Sequence, residues 1–316
     1  MLVTIAVAAA AAALAETDAA PRLEAWPAEA GRIEAWPQYD PVVEIIHHEG
    51  RILAPVHIEG VGERLFILDT AAGASLISSS LRADLDLAPG ETETRRVRGA
   101  TGVTRLDYVR LAGLRFGDVE ARGLWTLVGD LEEFAPAGGR EVAGILGVDI
   151  LARRDLRLDL ANGELTLRRP RVEPGGAPGV PFHSSAQAGF VQFTAELNGA
   201  PVAAVLDTGA RSGTLNWAAA GLAGLAPGGR GVIDTGGRSA GVDGVGVARL
   251  EARVDGLCVG RACFNAAPVR IADLAVFSLV GADGGAGPSM LVGADLLEIC
   301  AAEILYSQGV LRLCDA

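Results

Sequence analysis

Two short segments, Asp69-Thr70-Ala71-Ala72 and Asp207-Thr208-Gly209-Ala210, hold the residues best suited to chemistry. Each puts one carboxyl group at the end of an apolar run, Phe66-Ile67-Leu68 in the first and Ala204-Val205-Leu206 in the second. Each is followed by a distant companion, Ile145-Leu146-Gly147-Val148-Asp149-Ile150-Leu151 and Leu291-Val292-Gly293-Ala294-Asp295-Leu296-Leu297. Motif Asp and companion Gly lie 78 residues apart in the first half and 86 in the second. A motif repeated with its companion implies two homologous units, each presenting one carboxylate on a strand-to-loop turn. Face to face, they bring two carboxyl groups together. At about 3 Å such a pair cannot be doubly ionised, so one group keeps its proton near neutral pH. The ionised member can then take a proton from water while the protonated member polarises a carbonyl.

The flanking residues suit that arrangement. The threonine after each Asp is small and can hydrogen-bond across a turn, and the next residue must be small for two backbones to approach. These segments resemble those of retropepsin-like aspartic proteases from bacteria, in which an apolar strand runs into Asp-Thr-Gly-Ala and a later apolar-apolar-Gly segment packs beneath the turn. The resemblance covers roughly residues 50 to 316, with the two units in tandem as in pepsin-like enzymes. The second copy follows the family pattern; the first has Ala71 where glycine is usual. The resemblance implies Asp69 and Asp207 as catalytic residues. Thr70, Ala71, Ala72, Thr208, Gly209 and Ala210 support the two turns.

A third copy, Asp234-Thr235-Gly236-Gly237, has no Gly-x-Asp companion. It begins 27 residues after Asp207, and Gly99-Ala100-Thr101-Gly102 begins 30 residues after Asp69. Both read as tips of glycine-rich β-hairpins, matching the family's flaps, so Gly99, Ala100, Thr101, Gly102, Gly236 and Gly237 are flap candidates.

Strands dominate the elements that must position these groups. Leu106 to Leu111, Leu156 to Leu160 and Ala248 to Val254 alternate or run apolar between turn residues. Arg154 to Arg168 folds back at Asn162-Gly163, a strong hairpin signal. Helical stretches are few and short, the best being Ser79 to Leu85 and the segments after each Gly-x-Asp. The expected fold is all-β: two pseudo-symmetric barrel lobes with a cleft between them. The expected boundaries are a signal peptide at 1–15, an extension at 16–40, a first lobe at 41–168, a linker at 169–181 and a second lobe at 182–316. Within the extension Arg22-Leu23-Glu24-Ala25-Trp26-Pro27 recurs as Arg32-Ile33-Glu34-Ala35-Trp36-Pro37, and proline and glycine mark the linker.

A net charge of −12 argues against nucleic acid and anionic membrane surfaces as partners. Leu2 to Leu14 is apolar and Ala13-Leu14-Ala15 fits a small-x-small cleavage site, so export to the periplasm or medium is expected. No basic residue precedes the apolar run, so a membrane anchor is the other reading; the stretch is short for a span. The four cysteines all lie in the second half, and an even count fits an oxidising compartment. Cys258 and Cys263 flank one predicted turn and Cys300 and Cys314 another, which favours local pairing.

Other chemistry finds less support. Gly237-Arg238-Ser239-Ala240-Gly241 matches a nucleophile elbow but leads into no helix, and no histidine follows His183. His47, His48 and His57 lack metal-ligand spacing, and the glycines from Gly281 to Gly287 have no phosphate-loop lysine. The expectation is an exported, monomeric aspartic endopeptidase that acts on peptides without cofactor or metal. A protease-like peptide-binding module, with Ala71 disturbing the carboxylate, is the alternative, and a hydrolase of another amide in the cell envelope is a third.

Overall fold

The computed structural model describes residues 39–85, 87, 92–132, 134, 136–170, 179–184, 189–239, 241, 246–280 and 286–314. The expected signal peptide, the tandem tryptophan segment, most of the linker and most of the 281–287 glycine cluster lie outside them. The described chain is nearly all β, in curled sheets.

Residues 46–146 build one eight-stranded sheet. The strand Arg51–Ile58 pairs on one side with Gly62–Leu68 and again with the far end of Val103–Phe116, so the sheet closes on itself. At its centre Gly62–Leu68 runs parallel to Val142–Leu146, with Leu68 opposite Leu146. The last four residues of Gly62–Leu68 are all buried, as continuous apolar strands are when both faces are covered.

Residues 183–292 repeat the plan in a nine-stranded sheet. Ala200–Leu206 runs parallel to Ser289–Val292, with Leu206 opposite Val292. One long strand of the first sheet, Val103–Phe116, has its counterpart in two, Leu250–Val254 and Leu257–Val259, separated at Asp255-Gly256. Gly256 adopts a φ of +62°, which a side chain would strain, and turns the chain between them.

A third sheet of six strands belongs to both halves. Asp155–Asp159 pairs with Glu164–Arg168 around the predicted turn and, on its other edge, with Ala302–Leu305. Val180–Pro181, expected within a linker, is a strand here and pairs with Val310–Leu311. The Asp155 carboxylate accepts the Ser307 N–H at 2.9 Å and its hydroxyl at 2.6 Å. Glu303 accepts from Arg168 at 2.6 Å and Arg312 at 3.0 Å. The two halves are thus hydrogen-bonded into one base.

The short helix Ser79–Asp84 lies where the sequence puts it, capped by the Ser78 hydroxyl accepting from the Leu81 N–H at 3.0 Å. The companion helices begin at residue x of Gly-x-Asp rather than after it, at Val148–Leu151 and Ala294–Leu296. Cys258 bonds to Cys263 and Cys300 to Cys314, the local pairing expected. In the first pair the cysteines are register partners in adjacent strands, with Cα atoms 4.1 Å apart.

Candidate active site

Both motif strands end at their aspartate for the same reason. The Asp69 N–H donates to the Leu146 carbonyl at 3.0 Å and the Asp207 N–H to the Val292 carbonyl at 2.9 Å. The chain then turns, and the Ala72 and Ala210 N–H groups donate back to the carbonyls of Asp69 at 3.3 Å and Asp207 at 3.2 Å. Gly147 and Gly293 lie against the turns. A Cβ on Gly147 would stand 2.7 Å from the Ala72 carbonyl oxygen, and one on Gly293 would stand 2.5 Å from the Ser212 carbonyl carbon. Both neighbours are backbone and cannot give way, which is why the companion needs glycine.

The companion aspartates differ between halves. Asp149 accepts the Ser75 N–H at 2.9 Å and the Ser75 hydroxyl at 2.7 Å, and the Gly147 N–H donates to Ser75 Oγ at 3.1 Å. This clamp ties the first turn to its companion. The residue six positions beyond Asp207 is Gly213, so Asp295 lacks that hydroxyl. Burial pushes Asp295 up to about 6, against the Leu296 N–H and the charge of Arg270.

The two turns meet. The Thr70 N–H donates to Thr208 Oγ1 at 3.1 Å, and the Thr208 N–H donates to Thr70 Oγ1 at 3.2 Å. Each hydroxyl donates onward at 2.7 Å, Thr70 to the Leu206 carbonyl and Thr208 to the Leu68 carbonyl. These bonds set Asp69 and Asp207 beside each other with no accessible surface on either. A Cβ on Gly209 would lie 2.5 Å from Asp69 Oδ2, so the first carboxyl group rests on the backbone of the second turn.

Each carboxyl group is held by one oxygen. Asp69 Oδ1 accepts the Ala71 N–H at 2.8 Å, and Asp207 Oδ1 accepts the Ala210 N–H at 2.9 Å. Both Oδ2 atoms are buried without a hydrogen-bond partner among the described residues. Burial first, then the Asp207 charge, holds Asp69 well above the usual carboxylate range. Burial pushes Asp207 up to about 7, against the Ala210 and Gly209 N–H groups and the charges of Arg270 and Arg51. The pair therefore holds a proton into the neutral range, and its two titrations belong to the pair. Ala71 leaves this geometry intact: its N–H makes the bond to Asp69, and its methyl group joins a buried apolar cluster with Val205, Leu291 and Phe277.

The flap candidates divide. Gly99 to Gly102 is the tip of the hairpin Thr92–Arg98/Val103–Phe116, closed by the Gly99 N–H to the Gly102 carbonyl at 2.8 Å. Ala100 is fully buried in the cluster that holds Ala71, and its carbonyl accepts the Val276 N–H of the second half at 3.1 Å. Gly236 and Gly237 are not at a tip. They precede the strand Arg238–Ser239, which pairs with Val247–Ala248; residues 240 and 242–245 lie outside the described residues. Asp234 is exposed and accepts the Gly236 N–H at 2.8 Å, a local turn. Its likeness to the motif is confined to sequence.

Ser75, Asp149, Arg51 and Arg270 are missing from the sequence-based site. The repeat itself held a signal for Ser75, which stands six residues after Asp69 where the second copy has Gly213. Among the described residues, no three His, Cys, Asp or Glu side chains converge on a metal-sized site, and no helix is long and apolar enough to cross a membrane.

Residues 54–150 match a family model described as aspartyl protease. Among solved structures, the chain is similar to a retropepsin-like aspartic protease from Rickettsia conorii, at 16% identity and a TM-score of 0.30 over 43% of this chain and 97% of that one. No curated protein matches. The family match thus takes in the first motif, Asp69 to Ala72, and its companion, Gly147 to Asp149, and ends before the second half.

Proposed function

We propose that the protein is an exported, single-chain aspartic endopeptidase, with Asp69 and Asp207 acting as one dyad. The observation that supports this most is the reciprocal Thr70–Thr208 bonding, which joins two buried carboxyl groups from different halves of the chain. In this reading the ionised Asp takes a proton from water as the water oxygen attacks the scissile carbonyl. The protonated Asp donates to the carbonyl oxygen. Collapse of the tetrahedral intermediate breaks the C–N bond, and a proton from the dyad passes to the leaving amine.

The two unpartnered Oδ2 atoms face this work, and the Oδ1 atoms keep the carboxyl groups in place. The Gly99–Gly102 hairpin would act as a flap over a bound peptide. The lobes would be 41–168 and 182–316, sharing the six-stranded base, and the chain would act as a monomer. Two disulfides suit an oxidising compartment, the periplasm or outside the cell, with cleavage of a leader after Ala15. The intact bond from Ala71 to Asp69 favours an enzyme over a peptide-binding module.

A peptide library, incubated with the protein in the presence and absence of a transition-state-mimicking peptide inhibitor, tests the proposal. Inhibitable cleavage lost in Asp69→Asn and in Asp207→Asn is expected. Inhibitor binding without cleavage would mean a binding module.

A further inference from the structure

The two halves share one strand register, so their cleft-facing positions can be compared directly, and they differ in chemistry. In the first half Leu76 is the parallel partner of Leu127, which is the antiparallel partner of Tyr108. In the second half the same three places hold Thr214, Arg270 and Glu251. Two residues before Tyr108 and Glu251 stand Leu106 and Arg249, and the hairpin ladders place Val97 opposite Thr104 and Ser239 opposite Val247. Five places that are apolar or aromatic in the first half, Leu76, Val97, Leu106, Tyr108 and Leu127, thus become Thr214, Ser239, Arg249, Glu251 and Arg270. The first set packs as one apolar cluster.

The second set lies beside the dyad. Thr214 is the register partner of Leu291, which shares its cluster with Ala71 and the flap residue Ala100. The Arg270 charge reaches Asp207. Thr214, Ser239, Arg249 and Arg270 are all nine-tenths or more buried. Arg270 Nη1, Thr214 Oγ1 and Ser239 Oγ have no hydrogen-bond partner among the described residues. Arg249 is committed, donating to the Arg238 carbonyl at 3.0 Å and pairing with Glu251 at 3.7 Å. Asp295 faces Arg270 from the companion segment and Arg211 adds positive charge from the motif turn. Arg270 thus lies among Arg249 and Arg211 on one side and Asp295, Glu251 and Asp207 on the other.

Buried donors in native proteins are satisfied, and a buried guanidinium left without an acceptor is costly. A carboxylate is the acceptor that matches a planar guanidinium with a hydroxyl residue, Thr214, as its register partner. We propose that Arg270, with Thr214 and Ser239, forms a subsite for a carboxylate of the peptide substrate, opposed across the dyad by the apolar subsite of Leu76, Val97, Leu106, Tyr108 and Leu127. The site accepts an acidic residue on one side of the scissile bond and an apolar residue on the other. This deepens the endopeptidase reading and rests on it.

The test uses the full chain and matched peptides that differ only by Glu or Gln at each position around a cleaved bond, all with amidated C-termini. A further Gln peptide carries a free C-terminal carboxylate, which separates a side-chain acid from a chain end. The expected result is kcat/KM about tenfold or more in favour of Glu at one position. In Arg270→Leu, the first half's residue, that ratio falls to near one whatever the absolute rate; Arg270→Lys retains part of it, and Thr214→Val reduces it. Preference for the free C-terminus instead of Glu would assign the subsite to chain ends. Equal rates for Glu and Gln at every position in the wild type, or a ratio unmoved by Arg270→Leu, would overturn the proposal. If no peptide is cleaved, the endopeptidase reading fails on its own. Calorimetric binding of Glu and Gln peptides with a reduced scissile bond then still reads the subsite: tighter Glu binding supports it and equal binding overturns it.

Discussion

Thr70 and Thr208 stand in equivalent places 138 residues apart and exchange the same bonds, backbone N–H to hydroxyl at 3.1 and 3.2 Å. Each hydroxyl accepts from one turn and donates to the strand that feeds it, so neither aspartate can shift without disturbing the other half. The registration of the dyad is thereby a property of the boundary between halves.

Replacing either threonine by valine removes a hydroxyl that both donates and accepts, and leaves a buried N–H and a buried carbonyl without partners. A stability loss of about 1–3 kcal/mol follows, with a larger fractional loss of activity, because misplacing reacting groups by about 1 Å costs roughly a hundredfold. Serine retains the hydroxyl and should retain most of both. Thermal melts and initial rates of Thr208→Val and Thr208→Ser separate these outcomes; equal behaviour would remove the hydroxyl from the account.

Asp69→Asn and Asp207→Asn should each abolish cleavage, and the double variant should be hardly worse than either, since groups acting as a unit are strongly non-additive. Asp234→Asn should be nearly silent, because that residue closes an exposed turn. Initial rates on one cleaved peptide decide it. Activity surviving in Asp69→Asn would show the first half to be catalytically idle.

Gly209 and Ala71 occupy matching places but are not interchangeable. A Cβ at Gly209 meets Asp69 Oδ2 at 2.5 Å, so Gly209→Ala must displace an oxygen of the proposed dyad and should cut kcat by about a hundredfold or more. Ala71→Gly removes only a buried methyl group, costing about 1 kcal/mol through packing and backbone entropy, with kcat retained. A Gly209→Ala enzyme with wild-type kcat would contradict the close approach.

The raised pKa values give stability a direction with pH. Both carboxyl groups bind protons more tightly folded than unfolded, where aspartate titrates near about 3.9. Their contribution is fully present below that value and is lost as pH rises through the folded pKa, about 7 for Asp207. The melting temperature of the wild type should therefore fall from pH about 4 to about 8 relative to the Asp69→Asn, Asp207→Asn double variant. The rate needs one proton on the pair, so kcat/KM should rise as the first leaves and fall as the second leaves, with both titrations shifted above the ordinary carboxylate range. Parallel melting curves, or a rate maximum in strong acid, would contradict this.

The disulfides should differ in weight. Cys300–Cys314 closes a longer loop than Cys258–Cys263, with sequence separations of 14 and 5. The loop-entropy model gives about 3 kcal/mol for the first and less for the second. Paired serine substitutions compared by denaturant midpoint should show that order, and the reverse order would place the cost elsewhere than in loop closure.

Features set by neighbours in the chain were legible in sequence. Each motif and its companion carried its own pattern, the Asn162-Gly163 turn marked its hairpin, and both cysteine pairs bracketed their turns. Likewise the apolar runs into Asp69 and Asp207 identified the central strands, since residue type there is dictated by burial on both faces. Gly236 and Gly237 show the limit of spacing. They matched the first hairpin tip by count, yet their place is set by strand register: they precede Arg238, which pairs with Ala248. What only the tertiary structure decided are contacts between residues far apart in the chain: the Thr70–Thr208 exchange, the Ser75–Asp149 clamp, the six-stranded base and the company Arg270 keeps. Such contacts leave no period or motif, because each partner's residue type is compatible with many neighbours. Sequence supplied two carboxyl groups, and the packing of one half on the other made them a pair.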